Sequence, residues 1–173
     1  MTRSKNLLGL ISLLLFLPSA FAGPPKEFDS GIKDGKDQGR DRIAPGWHMR
    51  TNIKVQDDGR IIGTTTLWNA NFNGFVGGAV ILLKDKDGNV IWPPAGEAGK
   101  AVMEKGIGGT EESVVGKWDL TYPKELFPKI AGAEFVHMNV GRNPAKLAET
   151  LEGYLKAGKK AAEAAKGLYD LFK

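Results

Sequence analysis

Residues 47–55 read Trp47-His48-Met49-Arg50-Thr51-Asn52-Ile53-Lys54-Val55. Trp47, Met49, Thr51, Ile53 and Val55 share one side, and His48, Arg50, Asn52 and Lys54 the other. That two-residue period is the pattern of a half-buried strand. Asp57-Asp58-Gly59 comes next, and an Asp-Gly pair tolerates the positive φ of a tight hairpin turn. Residues 60–68 then bring Ile61, Ile62, Thr64, Thr65 and Thr66, β-branched side chains that suit a pleated surface. Strand, turn and strand predict an antiparallel hairpin.

Working outward, residues 75–83 are almost continuously apolar, as expected of a central strand covered on both faces. Asp87-Gly88-Asn89 is a second turn, followed by Val90-Ile91-Trp92 and stopped by Pro93-Pro94. Residues 114–122 and 134–140 supply two further strands. Short strands, repeated turns and no intervening helix predict an antiparallel, immunoglobulin-like β-sandwich over residues 46–142. Within it, Ile81-Leu82-Leu83-Lys84-Asp85 resembles the signature of the FxLYD modules, small immunoglobulin-like units of exported bacterial proteins. Leu83 and Asp85 match, while Ile81 and Lys84 stand where that signature has Phe and Tyr. Residues 74–80, Gly74-Phe75-Val76-Gly77-Gly78-Ala79-Val80, are similar to segments of secreted bacterial proteins. The resemblance implies a sandwich and transfers no catalytic residue.

The sequence changes character at both ends. Residues 143–173 predict one amphipathic helix, with Asn143 as N-cap and Pro144 at the first helical position. Leu147, Leu151, Tyr154, Leu155, Leu168, Tyr169 and Phe172 fall on a stripe centred on Gly158, Ala161 and Ala165. Lys156, Lys159, Lys160 and Lys166 lie opposite, with acids among them. Small residues at the centre favour close packing on the sandwich, on a partner protein or on a second copy. Binding to a membrane surface is the alternative. Residues 23–45 hold five basic and five acidic side chains with little apolar besides Phe28, Ile32 and Ile43, and they predict a flexible arm.

Residues 1–22 combine Arg3 and Lys5, an apolar run and Ala20-Phe21-Ala22, the anatomy of a secretory leader. Subtracting those 22 residues from 173 leaves 151, and the net charge falls from +4 to +2 with Arg3 and Lys5 gone. Nucleic-acid binding loses its electrostatic support with that step. Cysteine is absent, which removes disulfides, thiol nucleophiles and thiolate metal sites. A disulfide-free exported chain points to the bacterial periplasm or medium.

Chemistry-bearing motifs are sparse. His48 and His137 each stand alone in a strand pattern. Asp85 to Asn89 superficially resembles a calcium loop, but the twelfth position from Asp85 is Gly96, not Glu. No G-x-S-x-G elbow surrounds Ser30 or Ser113. Glu111, Glu112 and Asp119 offer a carboxylate set for a secreted hydrolase only if they converge. Trp68-Asn69-Ala70-Asn71-Phe72-Asn73-Gly74 places aromatic faces beside amides, a combination that contacts sugars. Its alternative is a turn in which the asparagines end the strand and the aromatics fill the core. Together these readings predict an exported, non-catalytic binding or structural module without cofactor or metal. Trp68, Asn69, Asn71 and Asn73 are the candidate ligand residues, and the tail is the candidate contact surface.

Overall fold

The computed structural model describes residues 23–33, 35–141 and 145–171. The leader, the cap at Asn143 and Pro144, and Phe172 lie outside the described residues. The hairpin consists of β5 (Trp47–Val55) and β6 (Arg60–Asn69), in antiparallel register from Trp47↔Asn69 to Val55↔Ile61. β10 (Ser113–Thr121) flanks β6. Along the other edge of β5 run β1 (Lys26–Asp29) and β4 (Asp41–Ala44), end to end. Between them the chain leaves the sheet as a short hairpin of β2 (Ile32–Lys33) and β3 (Lys36–Asp37).

The second sheet is built on β7 (Phe75–Lys84). It has β11 (Gly132–Asn139) on one side, while β8 (Val90–Trp92) and β9 (Val102–Ile107) share the other. The apolar run of β7 reflects cover on both faces. A Cβ on Gly77 would meet Leu67 and Met49 of the first sheet, whereas one on Gly78 would meet Val140 and Leu147. Leu147 belongs to α1 (Ala145–Lys156), which with α2 (Ala161–Leu171) forms a third layer. The architecture is an open two-sheet antiparallel sandwich with a helix pair on its second sheet.

Two expectations are corrected. The tail is two helices, not one, because Gly158 adopts φ +63. Its N–H donates to the Leu155 carbonyl and the Lys159 N–H to the Tyr154 carbonyl, which closes α1 with a left-handed cap. Leu147, Leu151 and Leu168 are fully buried. Each contributes roughly 2 kcal/mol through burial.

The described part of residues 23–45 is not a loose arm but the edge of the first sheet. Several of its charges find partners on β5 or beside it: Lys54 meets Glu27 at 2.7 Å, and Arg50 meets Asp29 at 2.8 Å and Asp37 at 3.2 Å. Lys26 sits over the Phe127 ring and donates to the carbonyls of Phe127 and Ile130. Phe28 and Ile43 pack against the core. Ladder hydrogen bonds to β5 complete what the apolar content alone does not supply.

Candidate functional site

The sheets part along one side of the sandwich. β1 and β11 are terminal strands of their sheets, and a cleft of about 750 Å³ is lined from both. Phe28, Ile53, Ala133 and Phe135 give it an apolar lining, and Glu27, Asp29, Asp41 and Glu134 bring carboxylates against the single lysine Lys54. The Arg50 fork holds one wall: Nε and Nη2 donate to the two oxygens of Asp29, and Nη1 reaches Asp37. Asp37 is held below the usual carboxylate range by the Gly39 N–H, with Arg50 adding to the effect. The guanidinium is strengthened in turn by its bond to Asp29. This clamp fastens the β2–β3 hairpin beside the cleft.

Behind that wall a polar row crosses the core. His137 of β11 is 4 % exposed and lies 2.6 Å from Asp41 Oδ2 through Nδ1. Its Nε2 is 2.7 Å from Thr51 Oγ1. Thr51 Oγ1 lies 2.5 Å from Thr65 Oγ1, and the Trp118 indole donates to Thr65 at 2.8 Å. An indole N–H only donates and an ionised carboxylate only accepts, so Trp118 gives to Thr65 and His137 Nδ1–H gives to Asp41. Between those ends either threonine hydroxyl can supply the shared proton, and Nε2 accepts from Thr51 when the ring is neutral and donates to it when the ring is protonated. The order carboxylate, imidazole, hydroxyl matches an acid–base triad in sequence of groups. Thr51 is fully buried, however, and does not line the cleft, so the hydroxyl is not presented to a substrate there. The row ties four strands of the first sheet to β11.

Of the candidate ligand residues, Asn69 and Asn71 border a shallow groove of about 230 Å³ with Phe72, whereas Trp68 and Asn73 do not line it. Trp68 lies under the Arg40 guanidinium, 3.8 Å from its ring centroid. Asn69 points inward at 6 % exposure, donates to the carbonyls of Asn73 and Gly108, and accepts from the Asn71 N–H. Asn71 donates to the Pro45 carbonyl. Asn73 offers its backbone carbonyl to the indole N–H of Trp47, which stacks on Phe75. The asparagines thus build a turn. The aromatics do not plug the core, for Phe72 is fully exposed at the tip.

The carboxylates proposed for hydrolysis do not converge. Glu111 accepts from the Gly108 N–H before the start of β10. Asp119 pairs with Arg60 near the other end of that strand. Seven residues along a strand separate Asp119 from Glu112, about 20 Å. Asp85 accepts from its own turn, from Asp87 and Asn89. Among the described residues no group of three potential ligands could hold a metal.

In the tail, Leu151 and Leu168 face the core and Tyr154 and Leu155 pack against it. Tyr169 is partly exposed and borders a smaller groove with Lys166, while Lys156, Lys159 and Lys160 lie on the exposed side. Glu152 accepts from the Gly96 and Ala98 N–H groups, pinning α1 to the 3₁₀ turn Ala98–Ala101. Among the described residues no helix is long and apolar enough to cross a membrane.

Sequence reasoning missed Asp41 and the pairing of Thr51 with His137. The one available signal was Thr51 standing on the apolar side of the alternation. No family model, curated protein or solved structure matches the chain.

Proposed function

We propose that this chain is an exported, non-catalytic β-sandwich module that binds an extended, positively charged peptide segment in the cleft between β1 and β11. The observation that carries the reading is the cleft itself: two terminal strands line it, and apolar side chains sit among four carboxylates, Glu27, Asp29, Asp41 and Glu134, each within reach of a partner in Lys54, Arg50, His137 or Lys84 that a bound cation would replace or share. Terminal strands leave alternate backbone N–H and C=O groups without a ladder partner, so an added strand supplies main-chain hydrogen bonds. The carboxylates favour lysine or arginine in that strand. The secretory-type residues 1–22 and the likeness of Ile81-Leu82-Leu83-Lys84-Asp85 to FxLYD modules support an exported module of this kind. Burial of Leu147, Leu151 and Leu168 supports a tail that serves the module's own core rather than a membrane surface.

Fluorescence anisotropy with labelled peptides tests the reading. Alternating Lys–Val peptides are expected to bind, with affinity falling as salt rises, while Glu–Val peptides of equal length do not. Ala133→Trp, which fills the cleft without changing charge, is expected to abolish binding while leaving the thermal transition in place. Equal binding of both peptides, or binding unaffected by Ala133→Trp, would overturn the proposal.

A further inference from the structure

At the opposite end of the first sheet from Phe72, the backbone nitrogen of Gly23 lies 2.7 Å from Asp57 Oδ2. Gly23 immediately follows Ala20-Phe21-Ala22, the cleavage motif on which the export reading rests. We infer that Asp57 is the receptor for the new N-terminus: removal of the leader turns the Gly23 amide into an ammonium group that pairs with the Asp57 carboxylate and locks β1 onto the sheet. The inference depends on the proposed export for its physiological setting, though the pairing is a property of any chain that begins at Gly23.

A leader peptidase adds water across the Ala22–Gly23 amide, so that the carbonyl leaves as a carboxylate and the nitrogen becomes –NH₃⁺ at neutral pH. Before cleavage that nitrogen offers one N–H and no charge. Afterwards it offers three donors and a full positive charge at the same place, and charge-assisted bonds are roughly twice as strong as neutral ones. Nothing has to move for the pair to form.

Three features prepare the site. Pro24 and Pro25 follow Gly23 and fix their own φ, so the terminus is held at a set distance from β1. Gly23 also sits against the Phe127 ring, which limits access on that side. The local field is negative: Asp57 and Asp58 both act on Tyr122, whose phenol burial and those two acids push up to about 12. Two of the nearby cations have other partners: Arg60 pairs with Asp119, and Lys26 is directed to the Phe127 and Ile130 carbonyls.

Among the described residues every buried residue lies at Ser30 or later, and the chain beginning at Gly23 contains all of them. Three forms of residues 23–173 separate the possibilities: the chain itself, Asp57→Asn, and the chain with one alanine added before Gly23. The Gly23 amine, followed by pH-dependent NMR of ¹⁵N-glycine protein, is expected to titrate about one unit above the ordinary 7.7–8.0. Asp57→Asn is expected to return it to that range. A raised folded-state value means stability present below pH 7.7 and lost as pH rises through the folded pKa. At pH 6 the Gly23 chain is therefore expected to have about a tenfold larger folding constant than the alanine-extended form, a gap that closes by pH 10. An amine that titrates alike with and without Asp57, or equal stability of native and extended chains at pH 6, would overturn the pairing. The mass of the product exported from the full chain is expected to begin at Gly23. A product beginning elsewhere would overturn the processing step, a failure distinct from an unpaired amine.

Discussion

His137 joins the two sheets through two hydrogen bonds, one to a half-exposed carboxylate and one to a buried hydroxyl. Removing a member of such a row harms the neighbours more than the residue itself, because each is left with an unmet donor or acceptor in a dry interior. Thr51→Val keeps the shape but strands His137 Nε2 and the Thr65 hydroxyl. We expect it to destabilise the protein by about 3 kcal/mol in urea unfolding. Thr51→Ser, which keeps the hydroxyl, should recover most of that loss. Tyr122 supplies a pH test at the same scale. Its phenol is buried, donates to the Gln56 carbonyl and is pushed up to about 12 first by burial and then by Asp57 and Asp58. The folded value lies above that of the unfolded chain, near 10, so the contribution is intact below pH 10. It is lost as pH rises from 10 to 12, amounting to about 3 kcal/mol at most. Phenolate absorbance of Tyr122→Phe against wild type checks the titration directly. The sequence made Thr51 visible as a polar residue in apolar phase. It hid the partnership because Asp41 and His137 are brought together only by the meeting of the two sheets.

At the scale of elements, the helix pair stands or falls on a few leucines. Leu151 and Leu168 are fully buried, whereas Lys159 is exposed. Leu151→Asp or Leu168→Asp places a carboxylate in that interface and should release both helices, visible as lost protection from hydrogen exchange across 145–171. Lys159→Ala is expected to change the unfolding free energy by less than about 0.5 kcal/mol. Binding to anionic vesicles that is lost when Lys156, Lys159 and Lys160 are changed together would contradict the internal role of the tail. The apolar stripe was legible from its 3.6-residue spacing. The break was also written in the chain, as Lys156-Ala157-Gly158, but a glycine within an apolar stripe reads equally as a close-packing position. The edge strands β1 and β4 were illegible for another reason. Their charges suggested solvation, and only the fold puts Arg50 and Lys54 of β5 beside Asp29, Asp37 and Glu27.

Across the whole molecule, three layers leave one side open. The hairpin at 47–69 and the twice-covered β7 announced two sheets and their burial. The cleft is a property of no single segment, since its walls lie at residues 27–54 and 133–135. For the same reason the roles of the amides between Trp68 and Gly74 were not legible: amides that close a turn resemble amides that hold a ligand until their partners are seen. The most direct measurement is an amide NMR titration of the protein with an alternating Lys–Val peptide. We expect chemical-shift changes concentrated at Glu27–Ser30, Asp41 and Ala133–Phe135, with new hydrogen-exchange protection along β1 and β11. Changes centred instead on the Phe72 loop or on residues 145–171, with the cleft amides unmoved, would contradict a binding cleft between the two sheets.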